Sequence, residues 1–452
     1  MIFLAALVYA VRYAWLSFPI ISGFTAKNMC SCVFVGGRSP ASVAAEELGS
    51  FPLSLARYEV NEKDSSVTAS VFGFAKKKAI YRHGFGCTLV NEISEADLRK
   101  QPFNTVIQST PAADSLLWPA GDATDPITAP AVDKPRLDKL VQQEVNKTNA
   151  KNQHETRALL VLYDRRIVAE KYAPGFDQRS KMLGWSMAKS ITSAMIGMLV
   201  RQGKLDVKQP APVPEWQNNG DKRHAITLEN LLQQTSGLNF VEDYSKSSDA
   251  TKMLFEKADM GGYTAQHTLK EQPGTRFYYS SGNSNILSRI IKQTVGEAGY
   301  HRFVYDSFFY RTGMYNATIE PDASGTMVGS SYVYATARDW ARFGLLYYNQ
   351  GWVHSPAGDV QLLTPEWINA TVQPSAADTF QQYGYQFWLN APYKKLPSQR
   401  KFPAAPADLF YCDGYAGQYV FIIPSRKLII VRLGFKNFNK NELLRKVLQC
   451  VR

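Results

Sequence analysis

Serine and lysine three residues apart share one face of a helix, so a hydroxyl and an amine at that spacing can meet. The sequence holds the pattern twice, as Ser186-Met187-Ala188-Lys189 and Ser398-Gln399-Arg400-Lys401. The second lies in a Pro- and Lys-rich stretch without helical periodicity. The first opens the most apolar helix of the chain, SMAKSITSAMIGMLVRQGK, which stops at Gly203. An apolar helix shields the Lys189 ammonium from water and lowers its pKa, leaving an amine able to take the Ser186 proton. The helix N-terminus adds a positive dipole where an oxyanion develops. The alternative for this spacing alone is a helix-starting serine with a snorkelling lysine.

Two later segments add to the pair. Pro273-Gly274-Thr275 reads as a turn, and the run Arg276-Phe277-Tyr278-Tyr279-Ser280-Ser281 after it projects a tyrosine toward the Ser–Lys pair. A phenol beside a cation loses its proton more readily, which makes Tyr279 a proton-shuttle candidate. Gly414-Tyr415-Ala416-Gly417-Gln418 begins an expected strand. Gly417 lets a substrate lie against the backbone, and the Gln418 N–H joins that of Ser186 in an oxyanion hole. The alternatives are half-buried packing for Tyr279 and a plain turn for 414–418.

These residues need elements to hold them. LDKLVQQEVNKT reads as a helix, and ALLVLYDRRIVAEKYA as two strands around Asp164-Arg165-Arg166. DLFYCDGYAGQYVFIIPSRKLIIVRLGF gives two or three strands with a turn at Pro424-Ser425-Arg426, and NKNELLRKVLQCVR closes the chain as an amphipathic helix. Strands at both ends of a helical middle imply an α/β (α+β) fold: an antiparallel sheet flanked by helices, with an inserted helical subdomain near 200–345. Three regions are expected: an N-terminal hydrophobic anchor at 1–24, an accessory region and linker at 25–130, and the catalytic domain at 131–452.

Taken together, the three segments resemble the serine β-lactamase and penicillin-binding-protein superfamily, in its class C β-lactamase-like branch. That branch carries Ser-x-x-Lys, Tyr-x-Asn or a variant, and Lys/His-x-Gly on a strand. Here these stand as Ser186-Met187-Ala188-Lys189, Tyr279-Ser280-Ser281 and Tyr415-Ala416-Gly417. The flanks ITLENLLQQTSGL at 226–238, EQPGTRFYYSS at 271–281 and YATARDWARFGLLYYNQG at 334–351 are similar too. The resemblance covers roughly residues 155–452 and implies a β-lactamase/transpeptidase-like fold. Serine replaces the asparagine at Ser281, and Tyr415 replaces the strand cation that holds a substrate carboxylate. Both departures resemble 6-aminohexanoate-dimer hydrolase and the esterase-like members. What they imply is a serine hydrolase that cleaves a small-molecule amide or ester through a Ser186 acyl-enzyme. By the same resemblance Tyr244 lines the substrate pocket. The competing readings are a β-lactamase or D-Ala peptidase acting on penicillins or peptidoglycan, and a non-catalytic cell-envelope binding protein.

Other classes are excluded. Gly184-Trp185-Ser186-Met187-Ala188 imitates an α/β-hydrolase nucleophile elbow, but no strand pattern precedes it. The six histidines form no HExxH pair, and no phosphate-binding glycine loop occurs, so neither metal nor cofactor is expected. A net charge of +12 is scattered, its longest basic run being Lys76-Lys77-Lys78, so nucleic acid is not an expected partner.

Residues 2–24 carry one charged side chain, Arg12, and are expected to anchor the chain in a membrane, on the bacterial periplasmic side or outer cell surface that the resemblance implies. A buried or interfacial helix is the alternative. SSVTASVFGF and KKAIYRHGFGCTLV read as a hairpin around a basic turn. Residues 104–135, dense in Pro, Ala, Asp and Thr, read as a linker. Five cysteines without a CxxC pair leave two options: free thiols, or one bridge from Cys87 to Cys30 or Cys32.

Overall fold

The strands Thr156–Tyr163, Gln418–Ile423 and Leu428–Gly434 are apolar along nearly their whole length, as strands covered on both faces must be. A computed structural model describes residues 2–108, 116–124, 129–218, 220–355, 358–436 and 438–452, with the side chains of 2–10 outside that set. In it these strands form the centre of a six-stranded sheet. Its order is Trp388–Leu389, Phe410–Gly414, Gln418–Ile423, Leu428–Gly434, Thr156–Tyr163, Arg166–Tyr172, and every neighbour is antiparallel.

Alternate residues serve opposite faces, as strand pleating requires. Leu160, Leu162, Val420 and Val431 pack against the helices Ala188–Arg201 and Ala337–Tyr348. Leu159, Val161, Phe421 and Ile430 pack against Lys134–Asn146 and the terminal helix Lys440–Leu448. Helices such as Asp249–Glu256 and Ser281–Val295 fill the middle of the chain. A small sheet joins Met182–Leu183, Val333–Ala335 and Thr318–Ile319.

The N-terminal region departs from the expectation. One helix, Ile2–Phe34, runs straight through the anchor boundary at residue 24 and through Pro19. Ile21, Ser22 and Gly23 are buried, and a Cβ on Gly23 would stand 2.9 Å from that of Phe255. The C-terminal part of the apolar stretch is therefore covered by protein rather than lipid. Among the described residues no helix is long and apolar enough to cross a membrane. Beyond residue 24 the helix buries Thr25, Lys27, Asn28 and Ser31 as well. Lys27 pairs with the buried Glu320, which also accepts from Ser31 Oγ at 2.9 Å. Burial pushes the Lys27 ammonium down and the Glu320 carboxyl up, and each partner's charge pulls the other back.

A four-stranded sheet, Ala56–Asn61, Ser66–Val71, Phe74–Arg82 and Gly86–Leu89, lies on this helix. The hairpin turn is Phe72–Gly73, both at positive φ (+52° and +83°). It is not at Lys76–Lys78, which stand in the strand; Lys77 bonds Asn91 and Lys78 bonds Asp64. Of the two pairings left open, the bridge is Cys30–Cys87, while Cys32, Cys412 and Cys450 are free and buried. Ala26, Met29 and Cys30 share one core with Val67, Ala79, Phe240, Leu254 and Tyr332, so residues 25–90 are docked on the rest rather than set apart. Within the expected linker, residues 109–115 and 125–128 lie outside the described set.

Candidate active site

The nucleophile candidate sits where a strand turns sharply into a helix. Met182–Leu183 leads into a single 3-10 turn, Trp185–Met187, and then into Ala188–Arg201. Trp185 has φ +48°, a left-handed conformation that a bulky residue adopts only when its surroundings impose it. Gly184 has no room for a Cβ, which would lie 2.3 Å from the Trp340 ring. Ser186 is half-buried at the start of the helix.

Lys189 projects from the first helical turn and is 1% exposed. Its Nζ donates to Ser186 Oγ at 3.1 Å, Ser281 Oγ at 3.0 Å and the Ser330 carbonyl at 3.0 Å. Burial lowers its pKa to about 8, against a smaller upward pull from Glu242. A lysine so placed loses its proton near neutrality.

Tyr279 lies in the loop before the helix Ser281–Val295, its ring stacked on Trp388 at 5.4 Å and edge-on to Tyr383 at 5.9 Å. The Lys189 ammonium stands over this ring, 4.9 Å from its centroid. The phenol is not acidified as expected. Burial and the neighbouring Tyr383 push its pKa well above the ordinary value, and a hydrogen bond with Ser186 opposes them. Burial sets the direction, and the ammonium lies over the ring. Buried Gln234 fixes this loop: its side-chain oxygen accepts from Ser280 N at 3.0 Å and Asn283 Nδ2 at 2.8 Å, and its carbonyl accepts from Tyr278 N at 2.8 Å.

Ser281 and Tyr244 meet at one carboxylate that the sequence reading missed. Ser281 donates to Glu242 through Oγ at 2.6 Å and through N at 2.9 Å. Tyr244 OH bonds Glu242 at 2.7 Å and Ser281 Oγ at 2.9 Å. Tyr244 is exposed along its ring while this hydroxyl points inward. A chain of polar contacts thus runs Ser186–Lys189–Ser281–Glu242. Glu242 stands in the loop segment NFVEDYSKS with nothing in its neighbours to single it out.

The strand expected beside the nucleophile arrives three residues early. Residues 415–417 form the turn between Phe410–Gly414 and Gln418–Ile423, with φ +60° at Ala416 and +90° at Gly417. The close approach is at Gly414, where a Cβ would lie 2.1 Å from the Gly184 carbonyl oxygen. Gly417 is required by a different neighbour: its Cβ would meet Arg432 Nη1 at 2.2 Å, not a substrate. The Gln418 side chain is buried and faces away, donating to the Gly434 carbonyl and accepting from Gly434 N at 3.0 Å. Tyr415 is 69% exposed and meets Trp185 edge-on at 5.5 Å. Ser398 and Lys401 lie in loop with no helix between them. Among the described residues no cluster of His, Cys, Asp and Glu could hold a metal.

An antiparallel sheet flanked by helices, with a Ser-x-x-Lys pair opening a buried helix at its edge, defines the class of protein. The beta-lactamase family profile matches residues 137–446, and the chain belongs to that family. Over 275 residues it is 26% identical to a 6-aminohexanoate-dimer hydrolase of Paenarthrobacter ureafaciens, covering 58% of this chain and 68% of that one. Its fold is similar to that of a hydrolase with promiscuous acyltransferase activity (TM-score 0.55, 15% identity, 70% of this chain and 99% of that one). It is similar also to a class C beta-lactamase mutant (TM-score 0.51, 16% identity, 70% and 97%). The protein is a serine hydrolase acting on amide or ester bonds.

Proposed function

We propose that this enzyme cleaves small linear amides or esters by two-step acyl transfer through Ser186, as an amidase or esterase related to 6-aminohexanoate-dimer hydrolase. One observation carries the reading: Lys189 Nζ lies 3.1 Å from Ser186 Oγ, fully buried, with its pKa lowered to about 8. Neutral Lys189 takes the Ser186 proton as Oγ bonds to the substrate carbonyl carbon. The backbone N–H of Ser186 holds the oxyanion. The contact of Gly414 with Gly184 favours the Tyr415 N–H, rather than that of Gln418, as its second donor. Tyr279, kept protonated by burial, gives its proton to the leaving amine or alcohol as the carbonyl–leaving-group bond breaks. The proton on Lys189 then restores the phenol. Water next attacks the acyl-enzyme and cedes a proton to the now neutral Lys189, which passes it to Ser186 Oγ as the bond from Oγ to the acyl carbon breaks, so that the acid leaves and Ser186 is free again. Glu242 is a positioning residue that holds Ser281 against Lys189.

The test is hydrolysis of a short p-nitrophenyl ester. Ser186→Ala abolishes turnover, and Lys189→Ala and Tyr279→Phe each lower it by about 10²–10⁴-fold. Intact turnover in both of the latter contradicts the mechanism. A penicillin-directed activity is disfavoured because neither Tyr415 nor Cys412, which stands two residues before Gly414 on the strand, supplies a cation to hold a carboxylate. Benzylpenicillin should therefore acylate Ser186 more slowly than the neutral ester.

We infer further that the enzyme is membrane-associated and works outside the cytoplasm, on the periplasmic side or outer surface. Val11, Tyr13 and Trp15 are exposed on the N-terminal helix, and Phe72 and Phe74 are exposed at the hairpin that Phe18 touches. Residues 2–16 would measure about 22 Å as a helix at 1.5 Å per residue, short of a hydrocarbon core of about 30 Å. Partial insertion with the aromatic residues at the interface fits this length. The Cys30–Cys87 bridge supports an oxidising compartment.

A further inference from the structure

The Tyr415 N–H, favoured as the second oxyanion donor, opens the turn 415–417. The carbonyl of the same peptide, that of Gly414, accepts from Gly417 N at 3.2 Å inside the turn. This peptide is trans, so its N–H points opposite to its carbonyl and is aimed out of the turn. Among the described residues that N–H has no acceptor.

The turn is not a shape this sequence prefers by itself. Ala416 and Gly417 both have left-handed φ, +60° and +90°, which is unfavourable for an alanine. Donors from the interior hold it instead. Gln418 Nε2 donates to the Tyr415 carbonyl at 3.2 Å. Arg432 Nη1 donates to the Gly417 carbonyl at 2.7 Å and reaches that of Ala416 at 3.5 Å. The remaining contacts of this guanidinium tie it to other segments: Nη1 to the Lys436 carbonyl at 3.0 Å, Nη2 to the Glu155 carbonyl at 2.7 Å and Nε to Thr156 Oγ1 at 3.1 Å.

Arg432 stands in the strand Leu428–Gly434, which is paired on both sides, and is 1% exposed. Burial lowers its pKa to about 9, against smaller upward pulls from Glu155, Tyr419 and Glu144. The strand alone gives no use for so costly a buried cation, since an apolar residue fills such a position more readily. What the guanidinium adds is a rigid planar fork that joins the turn to two neighbouring segments.

We propose that Arg432 is a positioning residue of the oxyanion hole: it holds the turn 415–417 so that the Tyr415 N–H faces the carbonyl that Ser186 attacks. The proposal deepens the hydrolase reading and rests on it for the role of the Tyr415 N–H.

A thionoester tests it. Sulfur accepts hydrogen bonds weakly and lies further from carbon than oxygen does, so a thiocarbonyl gains little from the hole. The probes are p-nitrophenyl acetate and p-nitrophenyl thionoacetate, each kcat/KM divided by the hydroxide rate constant of the same ester. Their ratio does not depend on how much of a preparation is active. The wild-type chain should favour the oxoester by about 10²-fold. Arg432→Lys keeps the charge but loses the fork, and should lower that ratio at least about 10-fold while the thionoester rate changes little. Gly417→Ala puts a Cβ 2.2 Å from Arg432 Nη1 and should lower the ratio in the same way with Arg432 intact. It decides alone where Arg432→Lys does not fold. A merely structural residue lowers both rates together, so equal losses on the two esters, or an unchanged ratio in a folded variant, overturn the role. A wild-type ratio near one overturns it through its premise, the Tyr415 donor. The Ser186 mechanism fails separately, through the turnover of the Ser186, Lys189 and Tyr279 variants.

Discussion

The chemistry assigned to this chain depends on one lysine being able to lose its proton. Burial lowers Lys189 to about 8, so the neutral fraction rises as pH climbs through that value. The kcat/KM for a neutral ester should rise tenfold per pH unit below about 8 and flatten above it. Glu242 pulls the Lys189 pKa upward. Removing its charge in Glu242→Gln should therefore move this rising limb to lower pH, while loosening Ser281 lowers the plateau. A limb that stays in place, or moves to higher pH, contradicts the coupling. At this scale the sequence was legible where helical spacing carried the signal. Ser186 and Lys189 are neighbours because i and i+3 are neighbours. Glu242 was not legible, since a lone acid in a loop acquires its meaning only when Ser281, 39 residues on, is folded against it.

Elements were read well where hydrophobic period and turn residues agree, as in the strands flanking Asp164-Arg165 and Pro424–Arg426. They were misread where one composition serves two environments. Apolar residues 17–24 suit a lipid core and a protein core alike; the telling signal is the buried Lys27, Asn28 and Ser31 that continue the same helix. The strand motif was displaced from Gly414 to Gly417 because two glycines three residues apart look alike until their neighbours, the Gly184 carbonyl and Arg432, are known. The docking of this helix makes its own prediction. Glu320→Ala strands the buried Lys27 charge and should cost about 3–5 kcal/mol, read as a fall in unfolding midpoint. Replacing both partners by apolar residues should recover much of it. Opening the Cys30–Cys87 bridge by Cys30→Ala with Cys87→Ala should cost about 2–4 kcal/mol. No change in midpoint for either would mean that the helix is only loosely held.

On the scale of the whole molecule, a family core spanning 137–446 carries an added N-terminal helix and sheet that share a hydrophobic core with it and reach the nucleophile's side. The exposed aromatic residues on that addition should bring the protein to lipid. The full chain should float with vesicles, and Trp15→Glu with Phe72→Glu should release it; flotation unaffected by these changes places the contact elsewhere. The proposed role of Ser186 as nucleophile is independent of lipid binding. Intact-mass spectrometry after exposure to a fluorophosphonate tests it most directly. One adduct is expected, mapped to Ser186 and absent from Ser186→Ala; an adduct that persists in Ser186→Ala, or none on the folded wild-type chain, contradicts Ser186 as the nucleophile.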